Sequence, residues 1–302
     1  MSSESPVESQ RIAPGPVPGT RPMYWSVWRE IWENRSVYIA PLVVSGVVFF
    51  ASCVSTLTLP HRLKSATDAA KQQHSIIATY SVAPSAIMFT TLIVAVFFCL
   101  DALYGERRDR SILFWKSLPV SDRTTVLAKA FIPFVVLPLA AFLLSIVTQR
   151  ILIVLGSGIL MANGMSPERL HADLPLFQEA IVMFYGLTVH VLWFAPIYGW
   201  LFLVSAWARR TPILWAFLPP FAIALIEWIL FNTAFFASML RYRVMGAMSE
   251  AFVVQKKGEA IIRLSQLDPA RFLAAPGLWV GLLFAAACLF GAIRLRRLRE
   301  PI

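Results

Sequence analysis

Long apolar runs alternate with short polar segments along this chain. Runs near 37–59, 81–103, 130–153, 180–207, 213–237 and 277–293 each approach the roughly 20 residues that a helix needs to cross the hydrocarbon. Backbone groups inside a bilayer must bond within their own element, so these runs predict an all-α integral membrane protein with six transmembrane helices. Only Ala-Arg-Arg-Thr-Pro (208–212) separates the fourth run from the fifth, which predicts a tight antiparallel hairpin with Pro212 in the first turn of the next helix. A different pattern precedes the first run. In YWSVWREIWENRSVY (24–38), Trp25, Trp28, Ile31 and Trp32 recur at spacings of three and four, while Arg29, Glu30, Glu33 and Asn34 fall elsewhere. This predicts an amphipathic helix lying in the membrane interface. Residues 1–22, rich in Pro, Ser and Gly, read as a disordered tail, leaving 23–302 as one six-span domain. With no apolar core before about residue 37, the first span reads as an uncleaved anchor.

Composition agrees with this pattern: 58% of residues are hydrophobic and 15% are charged. Cys53, Cys99 and Cys288 lie in apolar stretches without metal-ligand spacing, and read as small buried hydrophobes. Net charge is +10, which beside long apolar runs points to basic loops on the cytoplasmic face rather than to nucleic acid. With the N-terminus inside, sixteen Lys and Arg fall on inner segments and eleven on outer ones, six of the eleven in the outer segment 238–275. The bias places both termini in the cytoplasm.

The segment 106–123, ERRDRSILFWKSLPVSDR, interrupts the oily pattern between the second and third spans. A solvated loop would not set Ile112, Leu113, Phe114 and Trp115 side by side. Nucleic-acid binding would want more net charge, because Glu106, Asp109 and Asp122 offset three of its five bases. Aromatic anchors inside a charged rim have the composition of a protein-docking surface. Pro119 would stop one helix, and Ser121-Asp122 would cap the next.

These features resemble a family. The amphipathic helix, the six spans with both ends inside, and YGERRDRSILFWKSLPVSDRTTVLAK after span two are similar to the type-2 permeases of ATP-binding-cassette (ABC) exporters. The sharpest local likeness is Glu106-Arg107, then Ser117-Leu118-Pro119-Val120-Ser121, then Lys129; LDPARFLAAPGLWVGL is also similar to a bacterial subgroup. The resemblance implies a coupling region at about 104–123 that docks an ATPase subunit through Glu106, Arg107, Arg108, Ile112, Leu113, Phe114, Trp115, Ser117, Leu118, Pro119 and Ser121. It implies a homodimer of permeases joined to two ATPases, in a bacterial inner membrane, with the pathway lined by spans one, two and five. The chain has no GxxxxGK[ST] loop, so it is expected to bind no cofactor itself, with ATP and Mg held by the partner ATPase. A lipid, peptide or amphipathic small molecule is the expected cargo.

Ionisable residues within spans are default functional candidates. Glu227, in the middle of the fifth predicted span, could bind a cation, carry a proton or bond neutrally between helices. Asn232 follows it and His190 lies in span four. These three residues form the candidate substrate pathway. Two alternatives come from other classes: an intramembrane enzyme using Glu227 and His190, and a membrane anchor for a soluble partner. Gly277-Leu-Trp-Val-Gly281 is a GxxxG that could let two helices approach closely.

Overall fold

A computed structural model describes residues 20–65, 68–113, 120–168, 170, 176–253 and 263–298. Among them there is no strand, only an isolated antiparallel bridge between Phe252 and Leu267. Six helices are long and apolar enough to cross a membrane, which suggests a membrane-embedded protein. The first span is α2 (Ser36–Leu57), preceded by α1 (Thr20–Glu33) and followed by a short α3 (Leu59–Ser65). The second is α4 (Ala69–Asp101), continued by α5 (Tyr104–Arg108). The third joins α6 (Asp122–Phe131) to α7 (Leu137–Ala162) through one π-helical turn, Ile132–Val136. The prolines explain that turn. Pro133 cannot donate to the Lys129 carbonyl, nor Pro138 to that of Phe134, so the α-helical ladder is broken twice within one stretch.

The fourth span is α8 (Leu176–Trp207), the fifth α9 (Pro212–Phe231), and the sixth α12 (Pro276–Leu298). Between the last two lie α10 (Phe235–Ala251) and α11 (Pro269–Ala274). Pro212 occupies the first turn of α9, as its position after the short connection predicts. The fifth span ends six residues before its predicted boundary, because Asn232 takes a left-handed conformation (φ 49°) and closes the helix.

The most extensive helix pairing is α8 against α12. It depends on a small residue: a Cβ at Gly199 would lie 2.9 Å from the Ala285 Cα, so the two backbones approach through that glycine. The largest apolar cluster gathers Phe98, Cys99 and Leu103 from the second span, Val126 and Ile132 from the third, Tyr198 and Phe202 from the fourth, and Ala292 from the sixth. Cys99 and Cys288 are buried free thiols, and Cys53 is partly exposed. In contrast to this core, only 6% of the apolar window of α9 is buried.

α1 packs along α6. Trp25, Trp28 and Trp32 form an outward row on α1, with the Tyr24 and Trp28 rings stacked at 6.5 Å. Ile31 packs against the core, and Ser26 and Glu30 are buried. The polar positions that sequence alone sets aside from the tryptophan stripe therefore include the residue that α1 buries most completely.

A buried charge cluster as candidate functional site

The charged residues of four elements converge at one end of the bundle. Lys129 of α6 lies 2.8 Å from Glu30 Oε2 on α1 and 3.2 Å from Glu106 Oε1 on α5. Arg296, in the last turn of α12, pairs with Glu106 Oε2 at 2.9 Å and with Asp122 Oδ1 at 2.5 Å. Arg29 closes on Glu30 at 2.6 Å. Lys129, Glu30, Glu106 and Arg296 are all buried. Each would be costly alone out of water, and each is stabilised only by its opposite. The alternating arrangement of cation and anion spreads one neutralisation over α1, α5, α6 and α12. Outside the spans, burial and the nearby Glu30 carboxylate hold the Glu33 carboxyl above the ordinary carboxylate range.

A second junction ties the same region to the fourth span. The chain breaks between α4 and α5, and the Ser205 hydroxyl accepts the N–H groups of Leu103 and Tyr104, both at 3.0 Å. Arg107 donates to the carbonyls of Ser205 at 2.8 Å and Ala208 at 2.6 Å. Those carbonyls terminate α8, where the helix dipole is negative, so they are matched there to a buried guanidinium. Beyond this anchor, Arg110 adopts φ 57°, a conformation that costs a non-glycine residue about 1–2 kcal/mol.

The sequence-predicted docking residues divide into two sets. Glu106 and Arg107 are buried and hold the root of the loop, instead of presenting a charged rim. Ile112 is turned into the protein at 1% exposure. Leu113 is 59% exposed, and Arg108 is exposed, donating to the adjacent Asp109 at 2.9 Å and lying 3.9 Å from Asp101. Ser121 caps α6 as its spacing predicts, accepting from the Thr124 N–H at 3.1 Å. Phe114, Trp115, Ser117, Leu118 and Pro119 lie outside the described residues.

The candidate pathway residues do not come together. Glu227 accepts from the Thr233 hydroxyl at 2.9 Å and from the N–H groups of Phe235 at 2.7 Å and Phe236 at 2.8 Å. It sits about one turn before the end of α9 rather than at a span centre, and it caps the start of α10. Asn232 is the left-handed residue between the two helices. His190 stays with its own helix, hydrogen-bonded to the Tyr198 hydroxyl at 2.9 Å and stacked on Phe194 at 4.5 Å. The GxxxG of α12 serves an intramolecular purpose. The Arg243 guanidinium donates to the Gly277 carbonyl at 2.6 Å and occupies the space where a Gly281 side chain would stand.

Sequence reasoning passed over Glu30, Arg296 and the polar pair between spans three and four, in which Gln149 donates to Glu179 at 2.5 Å. Glu30 was legible only as part of a solvated face, and Arg296 only as one base in a basic tail. Among the described residues, no cluster of three or more His, Cys, Asp and Glu could hold a metal ion. Compared with protein-family models, curated proteins and solved structures, the chain finds no match.

Proposed function

We infer that this chain is the membrane-spanning permease subunit of an ABC exporter, driven by ATP hydrolysed on a separate ATPase docked on the segment after the second span. The observation that carries this reading is the anchoring of that segment. Its root is fixed to α6 and α12 through Glu106 and to α8 through Arg107, while Arg108 and Leu113 face outward. A partner pressing on the exposed residues would displace a root bound to three helices at once. A buried ion-pair network suits such transmission because it resists separation of any one member. The six spans supply the membrane path, and the tryptophan row of α1 suits the headgroup level. The family resemblance implies a second permease copy, giving two permeases with two ATPases. The basic inner segments favour a bacterial inner membrane with both termini cytoplasmic.

The enzyme alternative draws no support from the geometry, because Glu227 and His190 take separate, local partners. The test is co-purification of the full-length chain with a phosphate-loop ATPase from the same cells. Trp115→Ala and Leu118→Asp are expected to abolish association or permease-stimulated hydrolysis while the chain still inserts. Unchanged assembly and hydrolysis in both variants would overturn the reading. Binding with no ATP-driven flux would favour a membrane anchor instead.

A further inference from the structure

Two arginines stand two positions apart on α10 and meet different surroundings. Arg243 turns into the bundle, donating to the carbonyls of Trp193 at 3.2 Å and Gly277 at 2.6 Å, with its guanidinium 4.7 Å from the Trp193 ring. Burial holds this guanidinium below its ordinary value. Arg241 instead lines a groove of about 870 Å³ between α9 and α10. It is exposed, and it makes no hydrogen bond or ion pair with any described residue.

The rest of the groove is apolar. Leu214, Phe217 and Phe221 recur at spacings of three and four on α9, and Leu240 and Val244 face them from α10. An uncompensated cation against an oily wall, beside a membrane span, calls for an anion from outside the chain. A water-soluble anion would leave the apolar walls unused, and a neutral hydrocarbon would leave the guanidinium unpaired. An anionic phospholipid satisfies both. Its phosphate oxygens match the fork of donors on arginine, and its acyl chain matches the leucine and phenylalanine wall.

We propose that the groove between α9 and α10 binds an anionic phospholipid of the surrounding bilayer, with Arg241 holding the phosphate and α9 the acyl chain. The proposal rests on the six membrane spans and not on the ATPase coupling, so either can fail alone. The probe is an equimolar mixture of phosphatidylglycerol and phosphatidylcholine with matched chains, offered to the full-length protein in detergent. Retained lipid is counted by native mass spectrometry. The wild type is expected to retain phosphatidylglycerol preferentially by roughly tenfold, because the choline cation of phosphatidylcholine offsets the charge of the phosphate that both lipids share. Arg241→Gln should remove the preference, and Arg241→Lys should keep most of it. Val244→Glu should remove it independently, by placing a carboxylate three residues from Arg241 on the same face. Arg271→Gln, on α11 outside the groove, should leave it unchanged. Equal retention of the two lipids by the wild type would overturn the proposal, as would an undiminished preference in both Arg241→Gln and Val244→Glu. A change of oligomeric state in those variants with lipid retention unaltered would assign the groove to a second copy of the chain, and so also overturn it.

Discussion

Glu106 and Glu227 are both carboxylates near the ends of apolar spans, and the protein treats them differently. Glu106 is buried and reaches Lys129 and Arg296, on two other helices. Glu227 bonds only to the turn that follows it, accepting from Thr233, Phe235 and Phe236. One charge is balanced by side-chain cations drawn from remote parts of the chain. The other is balanced by backbone donors within nine residues. The difference teaches which end of the molecule is mechanically joined. Displacing Glu106 disturbs several helices, whereas displacing Glu227 disturbs one hairpin.

Substitutions can break this comparison, and the largest effect is expected at Lys129. Lys129→Met leaves Glu30 and Glu106 buried without their shared cation, and should cost about 3–5 kcal/mol. Thermal unfolding in detergent would read this as a large fall in midpoint or loss of the monodisperse species; a near-wild-type midpoint would mean the cluster is not a structural junction. Arg107→Met comes next, since it strips two α8 carbonyls of a charged donor and should cost about 1.5–3 kcal/mol. Under the proposed ATPase docking, the same variant should weaken stimulation of the partner's hydrolysis more than a surface change such as Arg108→Gln does, which separates coupling from bulk stability. Ser205→Ala leaves the Leu103 and Tyr104 N–H groups without their acceptor and should cost about 1–3 kcal/mol, read as faster amide exchange at those two residues. The smallest effect belongs to Glu227→Gln. Amide exchange at Phe235 and Phe236 should quicken, while the unfolding midpoint and any transport stay at wild-type values. Loss of transport in a stable Glu227→Gln protein would restore that residue to the pathway and dissolve the contrast.

Legibility in the sequence followed the range of the interaction. The Ser121 cap was readable because its acceptor and its donor lie three residues apart. Pro212 was readable for the same reason. The premature end of α9 was not, because apolar residues continue through Phe235 and Phe236 and hydropathy does not register a left-handed residue. Asn232-Thr233 carried the available signal, since asparagine tolerates that conformation and threonine favours helix starts. Glu30 was the hardest to read. Its neighbours on α1 form a clear tryptophan stripe, and nothing in that local pattern distinguishes a polar face exposed to water from one buried against α6.

The sequence by itself determined the six spans, their approximate limits and the polar interruption after the second, because hydropathy and length act locally along the chain. The tertiary structure alone decided how the charges are balanced. Glu30 meets Lys129 across 99 residues, and Arg296 meets Asp122 across 174 and Glu106 across 190. No periodicity spans such separations. Only the packing of α1, α5, α6 and α12 at one end brings these groups within bonding distance, where exclusion of water makes each depend on the others.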